Sequence, residues 1–267
     1  MLLQKGDTDF ARNLNADQLK GIISGPDYVI SKIDQLNSLY LGLNASLPPF
    51  QKVEVRQAIK YAIDYDAIAD NITPNVWGVW QTFLPGNSPG AVNERPFRRD
   101  VAKAQALLAA GGYADGFEVT LDHYSRAPFG DIALAIQANL AAIGVKARLL
   151  AGESKQVTSK MRARQHQMTL TIWFPDYLDP NSNAQAFNSN PDNSDSSKLK
   201  LPAWRCHFFD RDLTEAVERA VKELDPEKRM ELYGKMQRDA MERSPFVFLL
   251  QSAEVAVMRK GVSGIRL

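Results

Sequence analysis

From Asp100 onward the chain switches regularly between two hydrophobic periods. Asp100 stands as a cap before a helical run, Val101 to Ala110, that stops at Gly111-Gly112. Phe117 to Tyr124 alternates with the period of a strand. Phe129 to Ile143 repeats its apolar residues with a helical period and is ended by Gly144. Val145 to Leu150 reads as a strand, Glu153 to Arg164 as a helix, and Met168 to Trp173 as the next strand. Strands and helices in alternation, joined by short connections, predict an α/β fold with a parallel or mixed sheet flanked by helices.

The flanking regions are less regular. Residues 1–36 predict a short strand or helix end, then a helix near Ala16 to Ile23 broken by Gly25-Pro26. Ser38 to Asn44 predicts a strand. Val53 to Ala69 predicts one helix, with Val55, Ala58, Ile59, Ala62, Ile63 and Ile68 on a single face. Asn71 to Phe97 reads as loop, with Trp77, Trp80 and Phe83 pinning it to the core or forming a lid. Asn181 to Leu201 is polar and predicts a surface excursion. Leu213 to Leu224 and Pro226 to Arg243 predict a helical pair with proline at a first helical position. Pro245 to Leu250 and Glu254 to Met258 predict two strands.

The stretch with most chemical promise follows the strand at Trp173. Phe174-Pro175-Asp176-Tyr177-Leu178-Asp179-Pro180 is interrupted twice by proline, so neither ladder nor helix continues through it. Acids and aromatics are thereby held at the carboxyl end of a strand, where ligands sit in open α/β sheets. An aromatic offers a flat apolar wall, and a carboxylate beside it receives a cation such as an amine. The alternative is an ordinary surface loop with solvated aspartates and Trp173 in the core. Tyr124, Ser125 and Arg126, at the end of another predicted strand, are further cleft candidates with the same alternative. Asp176 and Asp179, three residues apart, could in principle form the carboxylate pair of a glycoside-cleaving enzyme.

Composition narrows the classes. Hydrophobic residues at 45% and charged residues at 24% are ordinary for a globular protein. A formal net charge of +1 gives no electrostatic footprint for nucleic acid. The clusters Arg95-Arg98-Arg99 and Arg162-Arg164 read as solvated faces. Cys206 is the only cysteine, and His123, His166 and His207 stand at no metal-ligand spacing. No phosphate-loop, dinucleotide or nucleophile-elbow motif is present, so no cofactor is expected. The first residues lack a basic start followed by an apolar core, so no signal peptide is read in this chain.

Several segments carry a family resemblance. Val55-Arg56-Gln57-Ala58-Ile59-Lys60-Tyr61-Ala62-Ile63-Asp64 with Asp66-Ala67-Ile68 resembles a helix of the extracellular solute-binding proteins, family 5, of ABC importers, which include oligopeptide- and dipeptide-binding proteins. Tyr40 to Asn44 with Pro48-Pro49-Phe50, Phe83-Leu84-Pro85, Ala102 to Gly111, Trp173 with Asp176 to Pro180, and Asp225 to Tyr233 fall in that family's order. Leu3 to Asp9 is similar to a further family segment.

The resemblance covers only the C-terminal half of a two-lobed protein. It implies a periplasmic binding protein type II-like fold, mostly the second lobe. Residues 1–36 would be a remnant of lobe one and hinge, 37–245 lobe two, and 246–267 the hinge strand returning to lobe one. It implies a small solute such as a short peptide, a membrane permease as partner, and a periplasmic location. By position, Asp176 carries over to the group that pairs with a peptide's amino terminus, with Trp173 beside it. Phe174, Tyr177, Asp179, Tyr124 and Arg126 complete the expected ligand-facing set. Without lobe one, the strand Phe246 to Leu250 is expected to lose its partners. The chain ends should then fold back onto lobe two or pair with a second copy as a homodimer. A truncated product without ligand binding is the remaining alternative.

Overall fold

A computed structural model of the chain describes residues 2–23 and 25–264. Its centre is a mixed seven-stranded sheet. The strands are β1 (Phe10–Arg12), β2 (Tyr28–Leu43), β3 (Trp77–Val79), β4 (Phe117–Tyr124), β5 (Val145–Gly152), β6 (Met168–Trp173) and β7 (Phe246–Arg259). They lie in the order β1-β7-β2-β6-β4-β5, and β3 pairs β7 off this path. β4 runs parallel to β5 and β6, and β2 runs antiparallel to β6 and β7.

The period-two rule shows why the central strands read as nearly continuous apolar runs: both faces are buried. On β2, Leu39, Leu41 and Leu43 enter one core and Tyr40 the other. On β7, Val247 and Leu249 join the first core, while Phe246 and Phe248 join the second. The first core is closed by helices Val53–Ala62, Tyr65–Asn71, Val101–Ala110 and Phe129–Ala141. The second is closed by helices Pro180–Asn188, Arg211–Lys222 and Pro226–Arg243. In this second core Phe187 meets Tyr40, Trp173, Phe246 and Phe248 at centroid distances of 4.8–5.7 Å, all close to edge-on.

Several expectations need correction. β2 begins at Tyr28, ten residues earlier than expected, because its polar half is held by β7 from Tyr28↔Arg259 to Asp34↔Ala253. The run at Val53 is two helices, not one. Ile63 leaves helical conformation, and Asp64 caps the second helix by accepting from the Ala67 N–H at 3.1 Å. The polar segment after Pro180 is a largely buried helix as far as Asn188. Asp179 caps it, Pro180 opens it, and Asn183 donates to the Phe83 carbonyl at 2.7 Å. The two strands expected at the C-terminal end are one, bent by register shifts. Of the loop aromatics, Phe83 is buried and Trp80 donates to the Leu84 carbonyl, so they pin the loop down.

The described N-terminal segment packs on the C-terminal strand. Leu3, Leu14, Leu19 and Ile22 form a third small core on Val255 and Val257 of β7. Phe246 and Phe248 are not stripped of partners, being only 2% and 6% exposed between β2 and the second core. The end strands satisfy one another within one chain, and nothing in this arrangement supports a homodimer. Val29, Ile30 and Ile33 stay exposed on the polar half of β2.

Candidate ligand-binding cleft

β4 and β6 are parallel neighbours, so Tyr124 and Trp173 end at the same edge of the sheet. The Tyr124 hydroxyl lies 2.7 Å from Thr171 Oγ1, tying the two strand ends together. Beyond Tyr124 the chain turns into the helix Phe129–Ala141, and Tyr124 packs edge-on against Phe129 at 4.8 Å. Arg126 lays its guanidinium over the Phe129 ring, 4.6 Å from the centroid. A concavity of about 410 Å³ opens at this edge, and Tyr124, Arg126, Trp173, Phe174 and Asp176 all line it.

Each side chain is placed by its own local structure. Trp173 is mostly buried. Its ring packs on Phe187 and its Nε1–H donates to Asn183 Oδ1 at 2.9 Å, so one residue serves both the core and the wall of the concavity. Phe174 is exposed beside it. The loop then leaves the strand with the Asp176 N–H donating to Ser182 Oγ at 2.9 Å, which fixes the backbone while the carboxylate stays in solvent.

The other half of the loop faces elsewhere. Tyr177 and Asp179 line a second concavity of about 310 Å³, together with Leu36, Leu84 and Asn87. Tyr177 is exposed, and its hydroxyl accepts from Asn181 Nδ2 at 3.0 Å. Asp179 is occupied: Arg229 donates to both its oxygens, and it also caps the helix that follows. The hydrogen bonds from Arg229 hold its carboxyl below the ordinary range. A general acid needs the opposite shift. Asp176 and Asp179 also line different concavities, so they do not face one substrate as the pair of a glycoside-cleaving site would.

Two charged cleft residues escaped the sequence reading. Arg162 and Arg205 line the Asp176 concavity. Arg162 is exposed, as expected of a solvated face, and Ser154, Thr158 and Arg162 recur every four residues, turning one side of the helix Ser154–Arg162 toward the concavity. Arg164, expected in solvent with it, is buried instead. Its guanidinium covers the Trp204 ring at 4.1 Å and donates to the Asn193 carbonyl at 2.9 Å. Arg205 ends the short helix Pro202–Arg205 and is anchored by its Nε donating to the Lys200 carbonyl at 2.9 Å.

The polar groups behind this wall are chemically quiet. Burial pushes the Cys206 thiol up to about 12 and draws His166 down to about 3, so both are neutral near pH 7. They sit 3.7 Å apart, Sγ to Nε2. Among the described residues no group of three or more His, Cys, Asp or Glu side chains could hold a metal ion.

The family model for bacterial extracellular solute-binding proteins, family 5 Middle, matches residues 1–195. The chain belongs to this family. A dipeptide-binding protein of Pseudomonas aeruginosa is 28% identical over 277 residues, covering 99% of this chain and 50% of that protein. The glutathione-binding protein GsiB of Salmonella typhimurium is 24% identical, covering 98% of the chain and 52% of the relative. The chain thus spans about half the length of the curated relatives it matches. Among solved structures, the periplasmic binding protein DppA from Helicobacter pylori in complex with the peptide STSA superposes with a TM-score of 0.84 at 25% identity. That match covers 98% of this chain and 51% of DppA. AgaA in complex with agropinic acid, from A. tumefacien R10, gives 0.80 at 27%, covering 98% and 53%.

The fold is that of type II periplasmic binding proteins, as the family resemblance implied, and the C-terminal half of the longer relatives fits it. Members of this family are solute-binding proteins rather than enzymes. No helix among the described residues is long and apolar enough to cross a membrane.

Proposed function

We propose that this chain is the C-terminal, ligand-facing half of the solute-binding component of an ABC importer. It works in the periplasm and takes a small solute such as a short peptide. The solute lies at the carboxyl ends of β4 and β6, between residues 37–245 as one lobe and a second lobe to which residues 1–36 and 246–267 lead. Closure of the two lobes presents the loaded form to a membrane permease. Asp176 receives the amine, Trp173 and Phe174 wall it, and Arg126 with Tyr124 faces them across the concavity. Tyr177 and Asp179 support the loop from its other side.

The observation that carries this reading is the convergence of Tyr124, Arg126, Trp173, Phe174 and Asp176 on one concavity from segments fifty residues apart in sequence. Peptide-binding relatives make a peptide the first solute to test. Titration of the isotope-labelled chain with a dipeptide, followed by amide shifts, tests it. Residues of this concavity should shift, and Asp176→Asn should abolish the response. Shifts confined to the opposite edge of the sheet, or unaffected by Asp176→Asn, would overturn the reading.

A further inference from the structure

The concavity that holds Asp176 carries more positive than negative charge. Arg126, Arg162 and Arg205 line it with three guanidinium groups, against the single carboxylate of Asp176. Neighbouring cations are paired: Lys160 with Asp122, Arg164 with Asp195 and Arg229 with Asp179. Arg126, Arg162 and Arg205 make no ion pair among the described residues. Burial holds the Arg205 guanidinium below its ordinary range. Among the charges acting on it, Arg162 works in the same direction and Asp176 against it. Guanidinium stays charged near pH 7 regardless.

Three cations drawn around one concavity repel one another, and Asp176 balances only one of them. The walls beside them are apolar and aromatic, from Tyr124, Trp173 and Phe174. A bound solute displaces part of the water there, so its charges are compensated in part by these side chains. A neutral zwitterion with one amine and one carboxylate would match Asp176 and one guanidinium, leaving two cations without an anion. A second carboxylate would match the remaining pair, with the planar fork of arginine suited to bidentate contact.

We infer that the solute taken at this site is an acidic amino compound, with one amine and at least two carboxylates, as in a short peptide bearing a glutamate or aspartate side chain. The amine goes to Asp176 and the carboxylates divide between Arg126 and the Arg162–Arg205 pair. This inference rests on the proposed reading of the concavity as a solute site and sharpens it to a charge class.

The test compares Ala-Glu with Ala-Gln on the labelled 267-residue chain at low ionic strength, with amide shifts read up to millimolar peptide. Ala-Glu should bind at least about tenfold more tightly, the scale of one charge-assisted hydrogen bond. Arg162→Gln, an exposed position, and Arg205→Gln should each bring the affinity for Ala-Glu down toward that for Ala-Gln and so erase most of that preference. Equal affinity for both peptides would overturn the acidic class while leaving peptide binding intact. A preference for Ala-Glu that survives both substitutions would overturn the assignment to Arg162 and Arg205. No shift with either peptide would overturn the solute-site reading itself, and this inference with it.

Discussion

Asp179 and Arg229 are joined by two parallel hydrogen bonds, Nη1 to Oδ2 at 3.0 Å and Nη2 to Oδ1 at 2.7 Å, across fifty residues of sequence. The same carboxylate accepts from the Asn181 N–H at 2.8 Å, so it caps one helix while holding another. Arg229 also donates to the Tyr233 hydroxyl at 3.2 Å, inside the second core. Asp176, three residues earlier, makes no such bond with its carboxylate.

The two aspartates should therefore respond oppositely to substitution. Asp179→Ala loses a cap and a bidentate pair, and should cost about 1–2 kcal/mol in chemical denaturation. Asp176→Ala should stay within about 0.5 kcal/mol of the parent, as an exposed side chain does. Because Arg229 lowers the Asp179 carboxyl from its ordinary 3.8, its stabilising effect is present above that value and fades as pH falls through the lowered one. The Asp179→Asn difference should shrink with it. A larger stability loss at Asp176 than at Asp179 would contradict this account.

Lys60 predicts the pH dependence. It is 1% exposed, with Nζ 2.6 Å from the Met241 carbonyl and 3.0 Å from the Ser244 carbonyl at the end of the helix Pro226–Arg243. Burial, reinforced by the charge of Arg56, lowers its pKa to about 7. A neutral amine still has two N–H groups, enough for both carbonyls. The Phe97 ring at 5.5 Å favours the charged form but does not outweigh burial. Between about 7 and the ordinary 10.5 the unfolded chain holds a proton that the folded chain lacks. Unfolding free energy should therefore rise with pH in that window, by at most about 1.4 kcal/mol per pH unit from this group. The rise should be absent from Lys60→Met. A parent and variant with parallel pH profiles from 7 to 10 would refute it.

Gln251 stands where β2 and β7 slip out of register, between the pairs Asp34↔Ala253 and Ser38↔Gln251. Its Nε2 donates to the Gln35 carbonyl at 2.8 Å and to Asn87 Oδ1 at 3.0 Å, while its Oε1 accepts from the Gly86 N–H at 2.7 Å. One amide thus ties the bulge to the loop beneath it. Gln251→Leu leaves those groups unpaired in a half-buried place and should cost about 1–3 kcal/mol. Faster hydrogen exchange at Gly86, with little change at Leu121 in the central β4, would locate the loss. Unchanged exchange at Gly86 would show that the amide is not what holds the bulge.

Much of this was legible in sequence wherever local and tertiary preferences agree. Met168 to Trp173 and Phe117 to Tyr124 were placed to the residue because apolar runs, breakers and β-branching all point the same way. The first half of β2 was not, since Ser31, Lys32 and Asp34 carry no strand signal and are ordered by pairing with β7. The helix Pro180–Asn188 was hidden because its buried positions include Ser182, Asn183 and Asn188, polar residues paired inside the protein. Asp179-Pro180 is nonetheless a cap-and-first-turn signal, whereas the proline reads in the sequence only as a break. Of the cleft, the half on one loop was readable. Arg205 was not, because it reaches Asp176 only through folding of the segment after Asn190.

The last prediction concerns affinity. A site that encloses its ligand buries roughly 70–90% of the ligand's surface. Here Asp176, Trp173 and Phe174 with the three arginines form one wall and part of a floor, and Phe174 is itself 56% exposed. Nothing among the described residues closes over them from the other side. A dipeptide on this chain therefore keeps much of its surface in water while still losing its translational freedom. Contacts split between two lobes also contribute more when both are present, since water is then excluded from every charge pair. We expect dissociation constants near millimolar, about −4 kcal/mol, where a closed two-lobed binder at micromolar would reach about −8 kcal/mol. Calorimetry with Ala-Glu should give no measurable heat at micromolar protein, while amide shifts at millimolar peptide do respond. Micromolar or tighter binding to this chain as a monomer would mean that the single wall is a complete site, and the two-lobe reading would fall.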